Sequence, residues 1–104
     1  MKKKPEMLVT GEKIVLRLFV SGMSRKSMEA IEHINKLCGE YLKDAFELEI
    51  IDIYKNPEKL EGEQVIFSPS LIKKLPLPRK MIIGNFSDSD KVIKALGISF
   101  KDDL

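Results

Sequence analysis

The residues able to do chemistry in this chain are few and do not converge. One cysteine, Cys38, and one histidine, His33, are the only members of their kinds. Nucleophilic catalysis needs a thiol or hydroxyl beside a base that a third group orients. Cys38 falls on the apolar side of a helical pattern, where a free cysteine behaves as a small hydrophobe. His33 falls on the polar side, near Glu29 and Lys36. With no second histidine and no paired cysteine, neither a metal site nor a triad is spelled out. Asp52 ends an apolar strand, where structural hydrogen bonding accounts for it better than general acid work. Gly84-Asn85 lacks the glycine-rich loop that cradles a phosphate, and a turn before a capped helix explains it. The turn Ser21-Gly22-Met23-Ser24 holds no thiol. These residues imply no cofactor and point to binding of other proteins, with a thiol enzyme or redox sensor built on Cys38 as the alternative.

The elements that would position these groups follow from hydrophobic period. Over Lys13 to Val20, Ile14, Leu16, Leu18 and Val20 take one face, while Val15 and Phe19 take the other. A strand apolar on both faces belongs inside a sheet. Ser24 is a suitable N-cap for the helix that follows. In that helix Met28, Ile31, Ile34, Cys38 and Tyr41 recur at helical spacing to about Lys43. Phe46 to Tyr54 reads as a second strand, so the first three elements suggest a parallel βαβ unit. Asn56-Pro57 has the form of an N-cap and first helical residue, and Gly62 stops that short helix. Ser70 to Leu75 and Arg79 to Gly84 read as strands joined by the rigid turn Leu75-Pro76-Leu77-Pro78. Ser87 and Asp90 stand in capping-box positions before a final helix through Val92, Ile93 and Leu96, closed by Gly97. The order is βαβαββα.

Length and composition bound the rest. At 104 residues and 43% hydrophobic content, the chain has the size of one domain. We expect that domain over residues 13–97, with residues 1–12 a flexible tail and 98–104 a short one. Eighteen basic and 16 acidic residues leave a net charge of +2, so no strong field draws the surface to nucleic acid or membrane. A lone cysteine fits a reducing compartment, and we read the protein as cytoplasmic.

This α/β order is that of the thioredoxin fold, in which a proline precedes the third strand, and Pro69 stands at that place. Whether the Ser68-Pro69 bond is cis, as in thioredoxins, the sequence leaves open. Particular segments point to a narrower group. Leu16-Arg17-Leu18-Phe19-Val20-Ser21-Gly22 resembles the first strand and turn of the circadian clock protein KaiB family. Ile51-Asp52-Ile53-Tyr54-Lys55-Asn56-Pro57, Ser68-Pro69-Ser70-Leu71, Leu75-Pro76-Leu77-Pro78 and Ile82-Ile83-Gly84-Asn85-Phe86-Ser87 match its later segments in order and spacing. The resemblance spans about Lys13 to Leu96. It implies a non-enzymatic regulator that docks on the ring of a KaiC-like RecA-type ATPase, with a KaiA-like protein or a sensor histidine kinase as further partners. It also implies a second arrangement of the same chain, βαββααβ, populated in free dimers or tetramers, with Pro69, Gly84 and Ser87 where the choice of fold is made. Departures from the family are Asn85 in place of aspartate and Met81 in place of a second arginine.

Lys73, Lys74, Arg79 and Lys80 form the densest basic cluster in the folded part. Two readings apply: a solvated edge that discourages strand aggregation, or a docking patch whose charge steers encounter and fixes register. The resemblance favours docking, because Lys73 matches a lysine of the family's partner-binding face, and it adds Lys55, Asn56 and Asn85 to the same expectation.

Overall fold

The structure, a computed structural model, describes residues 13–43, 45–63, 69–84 and 86–98. Its elements are β1 (Ile14–Val20), α1 (Arg25–Leu37), β2 (Phe46–Asp52), β3 (Ser70–Leu75), β4 (Lys80–Ile83) and α2 (Ser89–Ala95). They make one sheet in the order β2-β1-β3-β4, with β1 parallel to β2 and antiparallel to β3, and β3 antiparallel to β4. The expected βαβαββα order and mixed α/β class are present, with the second helix reduced to a single 3₁₀ turn, Pro57–Leu60.

β1 sits centrally because both of its faces are apolar. Ile14, Leu16, Leu18 and Val20 pack with Ala30, Ile34 and Leu37 of α1, with Leu71 of β3, and with Val92, Ile93 and Leu96 near α2. Both α-helices therefore cover the same face. On the opposite face Phe19, Ile51 and Ile72 form a smaller cluster, covered by Ile53 and Leu60. The core runs one residue past the expected limit at Gly97, since Ile98 is also buried.

Several local details differ from expectation for identifiable reasons. α1 ends at Leu37, but the chain continues as a π-helical turn over Cys38–Leu42, closed by the Lys43 N–H donating to the Cys38 carbonyl at 2.9 Å. The strand expected to reach Tyr54 ends at Asp52. The Asp52 carboxylate accepts from the Tyr54 N–H, and the Asp52 carbonyl accepts from Lys55 and Asn56, which bends the chain out of the sheet. Asn56 precedes the 3₁₀ turn but its side chain makes no capping bond there. The cap of α2 is Asp88, whose carboxylate accepts from the Lys91 N–H at 3.2 Å, and not Ser87. Phe86, buried with φ of 61°, carries the chain inward just before the helix and sets the frame one residue later. Asp90, expected to complete the capping box, accepts instead from the Tyr41 hydroxyl. The Ser68-Pro69 bond lies outside the described residues. Cis bonds occur at Leu75-Pro76 and Leu77-Pro78, in the β3–β4 turn.

On the face away from the helices, one carboxylate gathers three cations. Glu63, whose side chain is 3% exposed, accepts from Lys74 and Arg79 at 2.6 Å each and lies 3.6 Å from the Arg17 guanidinium. Arg17 continues to Glu49, which also pairs with Lys59. Burial alone would raise the Glu63 pKa, but the hydrogen bonds from Lys74 and Arg79 outweigh it and hold the carboxyl below its ordinary range. A depressed carboxyl pKa contributes stability that is complete above the unfolded value and is lost as pH falls through the folded one. Stability should therefore decline below about pH 4.5. Glu63→Gln should remove that acid dependence and lower the unfolding free energy by about 1–3 kcal/mol at neutral pH. Urea melts of both proteins from pH 3 to pH 7 check both expectations.

Candidate protein-binding surface

The turn after β1 is closed by its own hydroxyls and by one carboxylate from β2. Ser24 caps α1, its side-chain oxygen accepting from the Ser27 N–H at 3.2 Å. The buried Ser27 hydroxyl accepts from the Ser21 N–H and from the Ser24 hydroxyl, and donates to the Ser21 carbonyl. Asp52 Oδ1 accepts from the Gly22 N–H at 3.1 Å and from the Tyr54 N–H at 2.9 Å, so one oxygen fixes both the turn and the end of β2. Gly22 has φ of +66°, a conformation that disfavours any side chain. The Ser24 and Ser27 hydroxyls are thus engaged with the backbone and with each other. The turn instead presents apolar surface. Met23 is 77% exposed and Tyr54 is 74% exposed, with exposed Lys55 next in the chain. Sequence reasoning treated Tyr54 only as a strand end, and the signal that it projects from the sheet is the aspartate two residues earlier.

The basic residues do not form a single patch. Along β3, alternate side chains take opposite faces. Lys73 shares the helix-covered face with Leu71, is only 2% exposed, and lies opposite Leu16 on β1 and Lys80 on β4. Burial, reinforced by the charge of Lys80, holds the Lys73 pKa below the usual lysine range. Lys74 and Arg79 lie on the other face and are paired to Glu63. Lys80 is exposed. Lys55 and Asn56 follow the Val20–Asp52 end of the sheet, away from the β3–β4 turn. Asn85 lies outside the described residues. Pro69 is buried at the entry to β3, Gly84 has φ of +149° at the exit of β4, and Ser87 is exposed. The hub of the cation cluster, Glu63, was not legible, because nothing local to it predicts contact with Arg17, Lys74 or Arg79.

Cys38 is fully buried among Ile34, Leu37 and Leu42, and burial pushes its thiol up to about 12. The thiolate is the reactive form, so this site is poorly suited to redox or nucleophilic work. Among the described residues, no group of three His, Cys, Asp or Glu side chains could hold a metal ion. No helix of the described residues is long and apolar enough to cross a membrane.

A parallel β1–β2 pair with an antiparallel β3–β4 hairpin, and helices α1 and α2 on one face, defines a thioredoxin-like α/β domain. Solved structures agree. The N-terminal domain of Synechococcus elongatus SasA superposes with a TM-score of 0.66 at 19% identity, covering 93% of each chain. The germline-specific thioredoxin Deadhead of Drosophila melanogaster gives 0.65 at 18% identity, covering 83% of this chain and 80% of that one. Within that class, the KaiB domain matches residues 17–98. Circadian clock protein KaiB3 of Synechocystis is 43% identical over 86 residues, covering 83% of this chain and 84% of the relative. Circadian clock oscillator protein KaiB of Microcystis aeruginosa is 32% identical over 96 residues, covering 92% of each. The chain belongs to the KaiB family.

The buried thiol gives a direct check. Because the neutral form is favoured by the fold, Cys38 contributes stability below the ordinary thiol pKa of 9.0 that is lost as pH rises toward about 12. Alkylation of native protein at pH 8 should be at least ~100-fold slower than in urea-unfolded chain, since both thiolate fraction and access are suppressed. Its rate should keep rising beyond pH 10, as rates measured by mass spectrometry from pH 7 to pH 11 would show.

Proposed function

We propose that this chain is a non-enzymatic regulatory protein of a circadian clock or a clock-like stress-response system. It acts in the cytoplasm by binding a KaiC-like RecA-type ATPase and modulating that partner's assembly or phosphorylation state. The observation that carries this reading is the KaiB domain match over residues 17–98, with relatives named as circadian clock proteins. The β1–α1 turn supports it, because thioredoxin-like architecture is kept there while exposed Met23 of the turn, and Tyr54 from the end of β2 beside Gly22, stand in place of thiols. A rigid aromatic beside a flexible apolar side chain is the composition of an interface anchor.

In this reading Tyr54 and Met23 make the apolar part of the docking face, with Lys55 and Asn56 as its polar neighbours. Lys80 and the pairs at Lys74 and Arg79 supply charge that steers encounter. Lys73 enters the partner surface only where the cover provided by α2 is displaced, and Asn85 belongs to the segment leading into that helix. A KaiA-like protein or a sensor histidine kinase is the further class of partner. The alternative, a thioredoxin-like thiol enzyme using Cys38, is disfavoured by the burial of that thiol. The second arrangement, βαββααβ, in free dimers or tetramers, is part of the same proposal. Exchange NMR on the free protein should detect it as a minor state, and a single state that persists unchanged on binding would remove it.

Size-exclusion chromatography with the cognate KaiC-like ATPase, in ATP and in ADP, tests the main claim. Co-elution is expected in at least one nucleotide state, and failure to co-elute in either would refute it. Tyr54→Ala should weaken that binding about tenfold or more while leaving the thermal midpoint of the free protein unchanged within error.

A further inference from the structure

Asp52 makes one hydrogen bond more than the end of a strand requires. It stands opposite Val20 at the last register of the β1–β2 pair, and the Ile53 N–H donates to the Val20 carbonyl at 2.9 Å. That register brings its carboxylate beside the turn that follows β1. An aspartate that only closed β2 would accept from the N–H two residues on, as Oδ1 does from Tyr54 at 2.9 Å. The same oxygen also accepts from the Gly22 N–H at 3.1 Å, thirty positions earlier in the chain.

Both bonds act on Tyr54. One fixes the backbone of Tyr54 itself. The other fixes the surface beside which its ring lies, because Cδ2 and Cε2 of that ring are 3.5 and 3.7 Å from where a Cβ on Gly22 would stand. Gly22 has φ of +66° and no side chain, so the ring lies next to bare backbone. Tyr54 is nonetheless 74% exposed and belongs to neither buried cluster. What the two bonds fix is therefore the direction in which an aromatic side chain meets solvent.

We infer that Asp52 is a positioning residue of the docking surface, an inference that rests on the binding role proposed above. Its carboxylate holds Tyr54 and the turn that carries Met23 in one arrangement before the partner arrives. Ordering an interface side chain costs affinity when it happens on binding. Here that ordering is built into the free fold, and Asp52 acts through Tyr54. Both bonds need only an oxygen that accepts, so an amide in the same place serves as well as a carboxylate.

Titration calorimetry with the cognate KaiC-like ATPase tests the inference on the native chain, Asp52→Ala, Asp52→Asn, Tyr54→Ala and the double variant Asp52→Ala, Tyr54→Ala, each well below its thermal midpoint. Asp52→Ala should weaken binding about tenfold, Asp52→Asn less than about threefold, and the double variant no more than Tyr54→Ala alone. That lack of additivity separates positioning from a general loss of stability, which would weaken binding whichever residue stood at position 54. Full additivity, or an Asp52→Asn variant as weak as Asp52→Ala, would overturn the inference. Where Asp52→Ala does not fold, the native protein and Asp52→Asn still decide it. Their Gly22 and Tyr54 amides should exchange with deuterium at least ~10-fold slower than in unstructured chain, and unprotected amides would overturn it. Absence of binding by the native chain would overturn the proposed role and the inference with it, whereas binding that Asp52→Ala leaves unchanged overturns the inference alone.

Discussion

The fold depends on one constraint, that β1 is apolar on both faces. Five of its seven side chains are buried, which no edge strand and no one-sided sheet can provide. β1 must therefore have a strand on either side and cover on both faces. α1 and α2 cover the larger face, and the short Pro57–Leu60 turn with Ile53 and Leu60 covers the smaller. The thioredoxin-like arrangement is the topology in which a central strand is paired in parallel by its βαβ partner and antiparallel by a hairpin strand.

Polar groups then do what apolar cover does not. On the helix-free side, Arg17 interrupts the apolar run of β1, and its guanidinium is placed between Glu49 and Glu63. Glu63 draws in Lys74 and Arg79 as well, so a single carboxylate joins the connector after β2 to the central strand and to both ends of the β3–β4 turn. Ion pairs in open water contribute little. A carboxylate that is 3% exposed and bonded by two cations is a different case, because the cost of its own burial is offset by those bonds.

Much of this was legible. Alternation along β1 and β2 and helical spacing from Met28 to Tyr41 placed the first half within a few residues, because those periods report one buried face each. The misreadings occurred where a long-range contact overruled a local rule. Ser87 satisfies the capping pattern, but the buried Phe86 moves the start of α2 to Asp88. The basic cluster was grouped by adjacency in sequence, whereas strand parity already separates Lys73, in phase with Leu71, from Lys74. Glu63 had no local signature, since its partners come from β1 and from residues eleven and sixteen positions later. Tyr54 was legible only through the habit of aspartate to end strands by accepting from the residue two places on.

The contact between the Tyr41 hydroxyl and the Asp90 carboxylate has a mechanical meaning. Tyr41 lies in the π-helical extension of α1 and Asp90 in the first turn of α2. Between them, the two helices of the covered face are fastened at their margins as well as through the oily layer beneath. The C-terminal helix is thereby tied to the end of α1 by a polar contact whose phenol ring is itself part of the core.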